Sequence, residues 1–89
     1  MKKTAKTKKP IKHLIAEIAG WYGALAILTG YALVSFNLVD SGGLAFQLLN
    51  LTGATGIFII SVVKHVGQSI VLNVFWAAVA IIAIFNIFI

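Results

Sequence analysis

The chain has 89 residues, of which 61% are hydrophobic, with a formal net charge of +5 and no cysteine. A soluble domain of that size and composition would have no polar surface to offer water, and without Cys there are neither disulfides nor thiolate metal sites. After His13 only Glu17, Asp40 and Lys64 carry a charge, and they punctuate three apolar runs: Ile18 to Phe36, Leu44 to Val63 and Ile70 to Ile89.

The chain opens on a basic tail, residues 1–13, with six of the seven basic residues: Lys2, Lys3, Lys6, Lys8, Lys9 and Lys12. The tail reads as a topology signal and a solvated anchor for anionic lipid headgroups, each Lys near the surface contributing on the order of 1 kcal/mol. It has no folded basic face and no interleaved aromatic residues, so no nucleic-acid partner is expected. The apolar run after it is too long for a signal-peptide core, and Asp-Ser-Gly-Gly is a poor cleavage site, so the tail is expected to stay on the mature protein.

Each run is about as long as a bilayer's ~30 Å hydrocarbon core at roughly 1.5 Å per residue. Period-2 alternation is missing, the runs exceed ordinary strands, and an open sheet edge in lipid would leave backbone groups unpaired. The expected fold is all-α, a transmembrane up-down-up bundle of three helices over about 14–37, 43–64 and 69–89, completed by oligomerisation. Residues 14–89 then form one domain. Between the first two helices lies Asn-Leu-Val-Asp-Ser-Gly-Gly, where Asp40 or Ser41 can cap the second helix. Between the second and third lies Lys-His-Val-Gly-Gln-Ser, where Gly67 can end one helix and Ser69 cap the next.

All seven basic residues fall on one side of a three-span protein, six in the tail and Lys64 in the second link. The positive-inside rule predicts a multi-pass inner (plasma) membrane protein with the N-terminus and second link cytoplasmic, and with Asp40 and the C-terminus outside. Glu17, four residues after His13, reads as an interfacial ion-pair partner. His13 and His65 have no further ligand at metal spacing, so no metal and no cofactor are expected. No P-loop, nucleophile elbow or carboxylate pair is visible, and an enzyme is not expected.

What is left inside the spans is small or uncharged and polar. In the first helix Ala16, Ala19, Gly20, Gly23 and Gly30 share one sector at 100° per residue, a face that lets helix backbones approach closely. The second helix sets Gln47, Asn50, Ala54 and Ser61 on one side, and the third does the same with Asn73, Trp76, Ala77 and Ala80. Counting from the outer ends puts Tyr31 and Asn50 about 8 to 10 Å into the hydrocarbon. Two polar layers are predicted: an outer one of Tyr31, Gln47 and Asn50, and an inner one of Ser61, Asn73 and Trp76. Trp21 and Tyr22 read as members of an interfacial aromatic belt. An amide at such a depth either bonds a neighbouring helix, the commoner use, or faces a water-filled cavity and contacts solute.

The pattern Gly20-Trp21-x-Gly23, Tyr31-x-Leu33-x-Ser35, Gln47-Leu48-Leu49-Asn50-Leu51-x-Gly53-Ala54 and Val71-Leu72-Asn73-x-x-Trp76 resembles a family of short bacterial three-helix inner-membrane proteins of unassigned function. The likeness runs from Gly20 to the C-terminus and implies the topology without an activity. Gln68 stands where that family is expected to have Pro. A weaker, architectural resemblance is to the SemiSWEET half-transporters, three-helix proteins that dimerise around a sugar path. Here Val34-Ser35 replaces their Pro-Gln pair, and the orientation implied by the Lys residues is opposite.

Two classes of function follow. The first is a structural or accessory module that self-associates as a homo-oligomer or binds a larger membrane partner. The second is a half-size transporter or channel whose oligomer encloses a path for a small polar solute, lined by Tyr31, Gln47, Asn50, Asn73 and Trp76. No ionisable residue lies at mid-membrane, which disfavours proton coupling. A phage holin is a smaller third possibility, against which the missing charged C-terminal tail counts.

Overall fold

The computed structural model describes residues 10–89. Lys2, Lys3, Lys6, Lys8 and Lys9, expected to meet lipid headgroups, lie outside them. Three helices follow one another, α1 over Ile11–Ser35, α2 over Leu44–Val63 and α3 over Gly67–Phe88. All three are long and apolar enough to cross a membrane, with mean hydropathies of 1.4, 1.7 and 2.4. Their lengths correspond to about 37, 30 and 33 Å. This is an all-α bundle, with no strand among the described residues.

The helix ends lie within three residues of the expected ones, but the local chemistry differs. α1 begins at Ile11 because Pro10, with φ of −57°, presets the entry and its carbonyl accepts from the N–H groups of His13 and Leu14. Lys12 and His13 therefore lie on the first turn of the helix. Asp40 and Ser41 do not cap α2, whose N-cap is Gly43 without a side-chain bond. The Asp40 carboxylate instead accepts from the Gly42 N–H at 3.2 Å, a local turn that reverses the chain before the helix starts.

Gly67 does not end α2, nor does Ser69 cap α3; Gly67 is already the first residue of α3. The left-handed positions fall on Asn37 (φ 61°) and His65 (φ 59°). Each closes its helix in the same way. The Leu38 N–H reaches the Leu33 carbonyl and Asn37 that of Val34, while Val66 reaches Ser61 and His65 reaches Val62. These paired 6→1 and 5→2 bonds satisfy carbonyls that lipid could not.

α2 is the centre of the fold. It packs against α1 on one side and α3 on the other, whereas no Cα of α1 comes within 8 Å of one in α3 among the described residues. The interior is made of small groups: Ala16, Ala26, Ala54 and Ala80 are buried with Gly23, Gly30, Gly53 and Gly56, and no large side chain among the described residues is fully buried. Leu, Ile, Val and Phe cover the outside, the distribution expected of a surface solvated by lipid.

The α1–α2 crossing is a contact of backbones. A Cβ on Gly56 would strike the Ala19 carbonyl, and one on Gly23 would strike the Gly53 carbonyl oxygen and lie 2.9 Å from the Ile57 nitrogen. A Cβ on Gly53 would meet the Gly23 oxygen at 3.0 Å. Gly20 sits against Ile60 and Gly30 against Phe46, so the small face of α1 from Ala19 to Gly30 follows α2 along most of its length. At the end of the crossing Lys64 Nζ stands 3.3 Å from Glu17 Oε2, pairing the start of α1 with the end of α2. With Lys64 more than half exposed, that pair adds about 0.2 to 1 kcal/mol. Replacing Gly23 or Gly56 by Leu should cost about 1 to 3 kcal/mol or more in reversible denaturation in mixed micelles. Gly67→Ala, whose Cβ meets nothing within 4 Å, should leave stability unchanged or slightly raised.

Candidate functional site

The two ends of the bundle, the Asp40 end and the Lys64 end, treat their polar side chains differently. Towards the Lys64 end, Ser61 of α2 and Asn73 of α3 are both buried. Ser69 joins them. Its Oγ lies 2.6 Å from Ser61 Oγ, and Asn73 Nδ2 donates to the Ser69 carbonyl at 2.8 Å and to Ser69 Oγ at 3.3 Å. The Ser61–Ser69 bond ties α3 to α2, and the two Asn73 bonds, both within α3, hold Ser69 in place. The sequence suggests Ser69 only as a cap, although its spacing of four from Asn73 puts both on one face of a helix.

A second interhelical bond lies on α1. The Tyr22 hydroxyl is 2.7 Å from Thr52 Oγ1, which itself donates to the Leu48 carbonyl at 2.8 Å, so Tyr22 is the donor. Tyr22 therefore does more than fill an aromatic belt: its ring end reaches α2 at a level about 12 Å below the start of that helix. Trp21 remains largely exposed.

Towards the Asp40 end the gap between α1 and α3 leaves a groove of about 380 Å³ with α2 as its floor. Gly30 and Tyr31 of α1, Gln47 and Asn50 of α2, and Trp76 of α3 line it. The expected outer layer of Tyr31, Gln47 and Asn50 comes together here, but Trp76 belongs with it and not with Ser61. The reason is where α3 begins: counted from Gly67, Trp76 lies about 14 Å along the helix axis, near mid-span. Its ring meets Phe75 edge to face, with centroids 5.6 Å apart.

The groove's amides are not all satisfied. Gln47 Nε2 donates to the Ser41 carbonyl at 3.0 Å and so braces the loop, while its Oε1 is buried without a partner among the described residues. Asn50, half-buried one turn further in, makes no hydrogen bond through its side chain with any described residue. The groove is thus mostly apolar with a few polar groups converging on it, a usual composition for a binding surface. Sequence reasoning also misses Ala26, Gly53 and Gly56, although the spacing of Gly53 and Gly56, one turn apart, signals a close-packing face. No group of three or more His, Cys, Asp or Glu that could hold a metal occurs among the described residues.

Removing the Ser69 hydroxyl should isolate the cluster's contribution. Ser69→Ala is expected to lower stability by about 1 kcal/mol, measured by denaturation in mixed micelles, with helix content unchanged.

No curated protein and no solved structure matches this chain. A family model covers residues 16–89, from the first buried alanine of α1 to the last residue. The chain belongs to that family, which is uncharacterised, and its three helices, long and apolar enough to span a membrane, fit a small membrane protein.

Proposed function

We propose that this chain is a structural or accessory module of the inner membrane, and that it associates through the groove at its Asp40 end with a second copy or a larger membrane partner. The observation that supports this reading is the contrast between two amides. Asn73 Nδ2 donates to Ser69 within the chain, whereas the Asn50 side chain has no partner among the described residues, in a setting where water is scarce. An unmet amide at that depth is stabilised by a helix that brings a donor or acceptor, at about 0.6 kcal/mol per bond on average. The reading involves no catalytic step and no cofactor.

The same groove favours a second reading, a half-size transporter or channel, because Tyr31 and Trp76 stand beside the free amide and could wall a solute path in an oligomer. Solute flux separates the two. For an assembly module, Asn50→Leu weakens association in detergent or nanodiscs and leaves denaturation midpoints near wild type, Asn73→Leu lowers stability with little effect on association, and liposomes show no solute flux. Flux that is lost in Asn50→Leu would favour the path instead.

The orientation in this proposal is N-terminus cytoplasmic and C-terminus outside, supported by the placement of all the Lys residues on one side. In a chain with no cysteine of its own, Ser41→Cys should react with a membrane-impermeant thiol reagent added from outside. Labelling from the cytoplasmic side alone would reverse the assignment.

A further inference from the structure

We infer that the partner in the groove is a second copy of this chain, inserted in the same sense and related by a two-fold axis along the membrane normal, with the two Asn50 amides paired across it. The inference rests on the assembly reading and adds the identity and geometry of the partner.

An amide carries a donor and an acceptor, so Asn50 is complementary to itself. Pairing through one N–H leaves the other for the unpartnered Oε1 of Gln47, which lines the same groove one turn away. Acyl chains offer neither donor nor acceptor, so lipid filling the groove would leave the Asn50 amide and the Gln47 Oε1 unmet.

Depth supplies the geometry. Asn50 lies six residues from the start of α2, about 9 Å below the Asp40 end and off the bilayer centre. In an antiparallel pair it would face the other half of its neighbour, where Asn73 and Ser61 are already bonded. In a parallel two-fold pair every residue meets the level of its own counterpart. The uneven distribution of Lys inserts all copies in one sense, so depth matching needs no further adjustment. The groove lies between α1 and α3, whose Cα atoms nowhere come within 8 Å of each other among the described residues, and Asn50 on α2 lines it.

The test uses the full chain in liposomes, where single cysteines stand in a cysteine-free background. Asn50→Cys should give an oxidative homodimer, whereas Leu48→Cys, on the far side of α2, and Leu25→Cys, on the lipid face of α1, should not. In a fluorescence-transfer assay of association, Asn50→Leu should weaken the dimer about tenfold, about 1.4 kcal/mol, and Asn50→Gln, which keeps the amide, should restore most of it. Cross-links of the Asn50→Cys variant that, in cell membranes, run only to a different protein would overturn the inference and leave the assembly reading intact. Dimers that cross-link in the Leu48→Cys or Leu25→Cys variant and not in Asn50→Cys would overturn both the inference and association through the groove. A chain that stays monomeric in liposomes and in cell membranes at every protein-to-lipid ratio would overturn both.

Discussion

Between helices in a bilayer there is no hydrophobic force to exploit, because the lipid tails that would be displaced are as apolar as the side chains that would replace them. What holds α1 on α2 is close contact of main chains at Ala19, Gly23, Gly53 and Gly56, where the carbonyls of one helix lie against the Cα atoms of the other. Everything else follows from that approach. It fixes the depth of α1 against α2, brings Glu17 to Lys64, and sets the Tyr22 hydroxyl on Thr52. A methyl group at any of the three glycines would push the helices apart and lose these contacts together.

Packing on α3 follows a different rule. Its contact with α2 is built on Ala54 and Ala80, both fully buried, and on the bonded set of Ser61, Ser69 and Asn73. Polar bonding therefore holds the Lys64 end of α3, while the backbone of α1 stays away from it. The gap between α1 and α3 is the direct result of a bundle in which one helix has two neighbours and the others have one each. Asn50, whose side chain has no hydrogen-bond partner among the described residues, lines the groove between them.

Much of this is readable from the amino acids, for reasons that differ by residue. The spans are legible because charge in lipid is so costly that Glu17, Asp40 and Lys64 have to mark the ends. The small face of α1 is visible as a period of 3.6. The partner face on α2 is not, since Gln47, Asn50 and Ser61 draw attention away from Gly53 and Gly56, which lack any chemistry. Trp76 falls at a different level from the expected one because the apolar run starts at Ile70, whereas the backbone of α3 begins three residues earlier, at Gly67. The turns mislead for a related reason: Asn37 and His65 occupy the left-handed positions where glycine is the usual signal, so the nearby Gly42, Gly43 and Gly67 point to other residues.

The shortest of the three spans is also the one that both others depend on. α2, at about 30 Å, is tied by short loops at both ends, whereas α1 runs roughly 7 Å longer and overhangs with Lys12 and His13. Bilayer thickness therefore acts on the fold through its middle helix. A thicker membrane cannot be met by tilting α2, which would shorten its reach further; the lipid around it must thin. Under the proposed self-association, two copies that share one perimeter would halve the lipid that each has to deform, so the length of one helix acts on assembly as well as on fold.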